Sequence, residues 1–165
     1  MSYTTVIAVW PGEKTKPLKE LRNAWGCAPV IWGDMAGLYL EGSYWSCTDE
    51  LWPLARRQDI PLHLRTVLAL TYDNMIVLRA DYARAAGCIR QYLADFPEKA
   101  SHWPALAELF ESAPDYPAIG LWMTSVCGNP FLGDWDEEAD EYGQPDWSKF
   151  WNLFEYLDAA EGEGK

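Results

Sequence analysis

Six carboxylates fall within eight residues at Asp134, Asp136, Glu137, Glu138, Asp140 and Glu141, with Trp135 between the first two and Tyr142 directly after the last. Like charges this dense cannot be buried together, so the segment stays in water unless a cation or a basic surface neutralises it. Three uses follow from that chemistry. The first is a solvated acidic loop with no further role, the ordinary fate of a charge run. The second is calcium binding, because Asp134, Asp136, Glu138 and Asp140 recur at alternate positions like the first ligands of an EF-hand loop. That pattern breaks at Ala139, where the loop needs glycine, and at Pro145, where it needs a bidentate glutamate; only an irregular oxygen cage is left. The third is docking. Closely spaced carboxylates imitate the phosphate row that a basic protein meets on nucleic acid, and Trp135, Tyr142, Trp147 and Trp151 supply the large rigid anchors that charge alone does not. Direct binding of nucleic acid is disfavoured, because its phosphates would be repelled.

Other chemistry-bearing residues are sparse. Cys27, Cys47, Cys88 and Cys127 stand 20, 41 and 39 residues apart without a C-x-x-C pair or an adjacent histidine, which is no zinc pattern and reads as buried thiols. His63 lies between two leucines and reads as structural; His102 sits beside Ser101, as a partner for that cap or for a backbone carbonyl. Ser125 and Cys127 close a strand-like run, a place where active sites sit but where polar residues also simply meet solvent. There is no nucleophile elbow, phosphate-cradling glycine loop or metal-spaced histidine pair. The best enzymatic alternative is a carboxylate-based hydrolase acting on a sugar-like substrate, yet no two of the 25 Asp and Glu residues are singled out as its acid and base. Neither a cofactor nor a metal is expected.

Charge and aromatic content point the same way. Residues 1–97 balance ten Asp and Glu against ten Lys and Arg, whereas residues 98–165 carry fifteen against three, so the whole net charge of -12 is regional. A one-sided field of this kind concerns solubility, steering and the sign of a partner's surface. Lys14, Lys16, Lys19 and Arg22 form a small basic cluster diluted by acidic neighbours, and Arg56, Arg57, Arg65, Arg79, Arg84 and Arg90 read as surface ions that answer the acidic end. Ten tryptophans exceed what packing requires at this size, so some should face a partner. No apolar run approaches a membrane span and the N-terminus lacks a secretory pattern, which points to the cytoplasm.

The elements expected to carry these groups begin with a strand over Tyr3 to Trp10, stopped by Pro11-Gly12. A helix capped by Thr15 follows, with Leu18, Leu21 and Trp25 on one face. The pieces 30–32 and 38–41 are separated by Gly33 and Gly37 as in a hairpin or tight turn. Ser46-Cys47-Thr48-Asp49 has the shape of a capping box for a short helix ending near Arg57. Leu64 to Leu70 and Met75 to Arg79 flank a Tyr72-Asp73-Asn74 turn as a second hairpin. Asp81 caps a helix that runs to Pro97, Ser101 begins another, and Ala118 to Val126 reads as an interior strand. Asp146 caps a last helix carrying Trp147, Phe150, Trp151, Phe154 and Leu157. Mixed rather than alternating elements predict an α+β fold, a single domain over 1–160 with a mostly antiparallel sheet and helices packed on one face, then a frayed acidic tail at 161–165.

In charge, size and aromatic content, though in no motif, the chain resembles the small acidic proteins that neutralise basic enzymes, the toxin-immunity and phage anti-defence inhibitors. That resemblance implies a non-enzymatic protein whose Asp134–Glu141 segment and neighbouring aromatics occlude a basic, nucleic-acid-handling partner. A structural or assembly subunit with a self-complementary aromatic patch is the third alternative.

Overall fold

The alternation of Tyr3–Trp10 is realised as strand β1, and Gly12, with φ of 81°, turns the chain back into β2 (Lys14–Arg22). A computed structural model describes this region and residues 26–97, 101–112, 114–123 and 128–159, besides 3–22. Helices α1 (Ala28–Tyr39), α2 (Thr48–Leu51), α3 (Leu62–Ala69), α4 (Tyr82–Asp95), α5 (Trp103–Glu111) and α6 (Leu153–Asp158) accompany strands β3 (Met75–Leu78), β4 (Ala118–Trp122), β5 (Trp135–Asp136), β6 (Glu141–Tyr142) and β7 (Trp151–Asn152). The main sheet has the order β2-β1-β4-β3-β7 and is antiparallel except for the β3/β7 pair; β5 and β6 form a separate hairpin.

The α+β class and the placing of the helices hold. Buried side chains from all six helices join Val6, Leu21, Val77, Ile119 and Leu121 in one cluster on one face of the sheet. The other face, carrying Ile7, Val9, Ile76 and Ala118, is covered by Phe131, Trp147 and Phe150 from irregular chain. Its central register position is Gly120, opposite Ile7 on one side and Ile76 on the other. A Cβ there would sit 2.3 Å from the Phe131 ring. Glycine is therefore required so that the phenyl ring can lie on the backbone itself.

Four local expectations are corrected, each for a physical reason. The segment after Thr15 is a strand, because the register shift opposite Val6/Ile7 inserts Leu18 as an extra residue and puts it on the helix-covered side with Leu21. Two apolar residues three apart then imitate a helix face. Lys14, Lys16, Lys19 and Pro17 on this edge strand also discourage further strand pairing. Residues 28–39 are a helix, since Gly33 and Gly37, one turn apart, both face solvent while Ala28, Ile31, Met35 and Ala36 are buried. The run 62–69 is a helix buried on nearly every side, and because Arg65 and Thr66 are buried along with the apolar residues, no polar face marks a helical period in it. Asp146 does cap, accepting from Ser148 N at 3.2 Å, but the cap starts a single 3-10 turn at Trp147–Lys149; β7 intervenes before α6.

The remaining expectations stand in part. Helix α2 follows Cys47 without a side-chain cap, and Ser46 Oγ instead donates to Ser43 O at 2.9 Å. Residues 72–74 join α3 to β3 rather than turning a hairpin, and their side chains hold the chain just after β4 and the 3-10 turn before β7. Asp73 Oδ1 accepts from Met123 N at 2.7 Å, and Asn74 Nδ2 donates to Lys149 O at 2.8 Å. Trp25, residues 124–127 with Ser125 and Cys127, and the tail 161–165 lie outside the described residues. No described helix is long and apolar enough to cross a membrane.

Candidate functional site

The acidic segment is an antiparallel hairpin. Trp135 faces Tyr142 and Asp136 faces Glu141 across it. Gly133 N donates to Gly143 O at 3.0 Å and Gly143 N to Asp134 O at 2.9 Å, and a Cβ on Gly133 would come within 2.3 Å of Gln144 O. Close backbone approach thus makes the base of the hairpin. At its tip Asp136 Oδ1 accepts from Glu138 N at 2.9 Å and Ala139 N at 3.1 Å, while Asp140 takes φ of 55°, a conformation Asp tolerates. One of the six carboxylates is therefore committed to its own turn. Every residue from Asp134 to Gln144 is exposed, and the Trp135 and Tyr142 rings meet edge to face at 4.9 Å while remaining 48% and 54% exposed.

Four other acids of the acidic end are answered locally. Arg90 makes a bidentate pair with Glu111 at 2.8 Å, Arg84 reaches Asp158 at 3.4 Å, Arg79 pairs with Asp115, and Lys149 lies 3.1 Å from Asp146. Hydrogen bonding from Arg90 holds the Glu111 carboxyl below its usual range, and bonds from Ser148 and then Lys149 do the same for Asp146. Among the described residues, no ion pair reaches any of the six hairpin carboxylates. The regional charge seen in the sequence is thereby focused on one projection. No described group of three or more His, Cys, Asp or Glu is arranged to hold a metal ion.

The other expected anchors are elsewhere. Trp147 is half-buried, 5.3 Å from Phe150, and packs on the second face of the sheet, so it serves the fold. Trp151 is 44% exposed at the sheet edge, and no described ring contact joins it to Trp135 or Tyr142. It meets Tyr156 at 5.7 Å and 78°, beside Arg56, Asn152 and Glu155, in an open groove of about 280 Å³. The sequence pattern missed Tyr156 because one continuous helix from Asp146 would have put residues 151 and 156 on different faces. The break into strand and helix brings them together.

Both histidines and two of the cysteines are engaged in packing or bonding within the fold, while Cys47 is half-buried. His63 Nε2 lies 2.6 Å from Asp95, and His102 binds the Arg22 carbonyl, tying β2 to the start of α5. Cys27 is fully buried, and loss of solvent pushes its thiol up to about 11 despite a hydrogen bond from Thr4. Cys88 is buried as well. Arg65, read as a surface ion, is buried instead. It donates to Ile60 O at 3.1 Å and Leu157 O at 3.0 Å, anchoring the end of α6. Among the described residues, one carboxylate, Glu155, lines the Trp151 groove, where a glycosidase needs two. Comparison with protein-family models, curated proteins and solved structures gives no match for this chain.

Proposed function

We propose that the protein is a non-enzymatic inhibitor that occludes a basic, nucleic-acid-handling partner protein through the β5–β6 hairpin. One observation carries the reading: six exposed carboxylates, with no cationic partner among the described residues, flank an exposed Trp135–Tyr142 ring pair. Two-stranded hairpins are marginal in water, and the register that sets Asp136 against Glu141 makes this one repel itself. Charge held against local stability is what an electrostatic docking surface requires. The carboxylates would steer a basic partner over roughly a Debye length of 8–10 Å, and the two rings would be desolvated at contact. The focused negative field argues against direct nucleic-acid binding.

The test is capture of partners at low salt, followed by association kinetics of a purified basic partner with the wild type and with an Asp134→Asn, Glu137→Gln, Glu138→Gln, Asp140→Asn variant. Asp136 is left in place because it builds the turn. We expect association at low salt to slow at least about tenfold, with release by high salt. An unchanged rate removes the hairpin from the mechanism.

A further inference from the structure

We infer that the groove between β2 and α5 docks the acidic hairpin of a second copy of this chain, so that the free protein covers its own recognition element in a two-fold dimer. The inference rests on the reading of the hairpin as a docking surface for basic protein, and it names a surface of this chain that fits. Register sets Lys14, Lys16 and Lys19 opposite Trp10, Ala8 and Val6, which puts all three ammonium groups on the helix-covered side of the sheet, along its outer edge. Glu20, which dilutes them in the sequence, stands opposite Thr5 and points to the other face; Glu13 lies in the turn before β2. The three lysines are exposed, and none has an ion-pair partner among the described residues. Lys14 lies over the Trp10 ring at 5.2 Å.

Beside this row runs an apolar groove of about 240 Å³, with buried Leu21 and Leu106 at its floor and half-buried Leu18, Ala105 and Leu109 around them. Glu108 is the one acid among its lining residues, and its charge, after that of Glu111, raises the Arg90 pKa, so a cation already faces it. The volume lies below the roughly 300–1,000 Å³ of pockets for drug-sized ligands and suits one aromatic side chain. Groove and hairpin therefore match twice, lysines to carboxylates and apolar lining to the exposed Trp135 and Tyr142 rings. Lysine and Pro17 on the edge oppose backbone pairing, so the recognition runs through side chains.

Within one chain the sheet stands between the two surfaces. The hairpin is carried by chain on the second face, where Thr15 Oγ1 donates to Phe131 O at 2.9 Å, whereas the lysines of the same strand point to the helix side. That bond also sets the start of β2 beside the chain entering the hairpin, so a two-fold axis next to β2 lets each copy give its hairpin and receive the other's. The net charge of -12 on each copy opposes association at long range. At about 0.1 M salt the Debye length of about 10 Å screens that repulsion across the molecule while charges in contact still attract.

The experiment is sedimentation equilibrium of the full chain, from about 10 μM to about 1 mM in about 0.1 M and about 1 M salt. We expect a dimer with a Kd on the order of 100 μM at the lower salt, weakened at least about tenfold at the higher. Two charge-reversed variants carry the test. Lys14→Glu, Lys16→Glu, Lys19→Glu is more acidic than the wild type, and Asp134→Lys, Glu137→Lys, Glu138→Lys, Glu141→Lys is less acidic; Asp136 and Asp140 stay to keep the turn. Each alone should self-associate at least about tenfold more weakly, and their equimolar mixture should regain the wild-type affinity, because both contacts again join opposite charges. Net charge by itself predicts the reverse for the second variant, which repels itself least. The buried Trp103 indole, which donates to Cys27 O, reports that each variant is folded. A wild type that stays monomeric at the lower salt, tighter self-association of the second variant, or a mixture no tighter than its components would overturn the inference. The lysine-reversed variant keeps its hairpin and should still take the basic partner captured at low salt. A monomeric wild type that takes that partner overturns the self-docking alone, whereas a dimer that takes no basic partner overturns the function proposed above.

Discussion

The two faces of the central sheet are covered in different ways. On one, Val6, Val77, Ile119 and Leu121 pack under six helices that satisfy their own backbone and share one continuous cluster. On the other, Ile7, Val9, Ile76 and Ala118 lie beneath three aromatic rings carried by irregular chain, and that chain also bears the acidic hairpin. A cover fastened at a few rings leaves most of its length free for exposed charge, whereas a helical cover spends its surface on packing. The contrast teaches that the second face is where the molecule can mount a recognition element without rebuilding its core.

Removing the central fastening is the most direct way to break the comparison. Phe131→Ala should cost about 3–5 kcal/mol in urea unfolding, because the ring is fully buried against Gly120. Gly120→Ala should cost about 1–3 kcal/mol by forcing the ring away, and much of that cost should vanish in the Phe131→Ala background. Additive costs would show that the two residues do not report on the same contact.

A smaller effect is expected on the helical side. The Tyr92 hydroxyl donates to buried Asp34 at 2.6 Å, so Tyr92→Phe should lower stability by about 1.5–3 kcal/mol. The hairpin should not sense that change, and the Trp135 indole resonance is the readout. A shifted Trp135 resonance would mean that the two faces are coupled.

Alkaline pH sharpens the same contrast. Burial raises the Cys27 thiol from 9.0 to about 11 and the Tyr82 hydroxyl from 10.0 to about 12, the latter opposed by Arg79. Both groups keep their proton when folded at pH values where the unfolded chain has lost it. Their contribution is therefore complete below pH about 9 and drains away as pH rises through about 11 and about 12. The urea midpoint should fall over this window, and Cys27→Ala should remove the earlier part of the fall. A flat midpoint in the wild type would mean that these groups are solvated.

The smallest expected change is in the hairpin itself. The four-fold charge-neutral variant should alter unfolding free energy by no more than about 0.5 kcal/mol, since those carboxylates touch no cation among the described residues. Asp136→Ala should perturb the tip more than Asp136→Asn, which keeps an acceptor for the amides of Glu138 and Ala139. Equal amide spectra for the two would dismiss the turn role.

Much of the fold is legible along the chain, in elements where local pattern and tertiary role agree. Tyr3–Trp10 alternates and is a strand, and the apolar spacing from Tyr82 to Phe96 and from Trp103 to Phe110 matches α4 and α5. Where local pattern misleads, a long-range contact has overridden it. The bulge at Leu18 exists only because β2 pairs with β1, and Gly33 and Gly37 are tolerated in α1 because its other side is buried. Helix α3 has no amphipathic period, since it is surrounded.

The same division holds for function. By itself the sequence determined the acidity of residues 98–165, its concentration in the Asp134–Glu141 run, and the surplus of aromatic residues, because charge and composition do not depend on folding. Tertiary structure alone decided which acids are answered. It gave Arg79, Arg84 and Arg90 to Asp115, Asp158 and Glu111, left the hairpin without an ion pair among the described residues, turned Trp147 inward, and set Trp151 and Tyr156 at a right angle. Those outcomes rest on contacts between residues 21 to 74 positions apart, or on a strand-to-helix break within the last dozen residues described, and neither is written in local spacing.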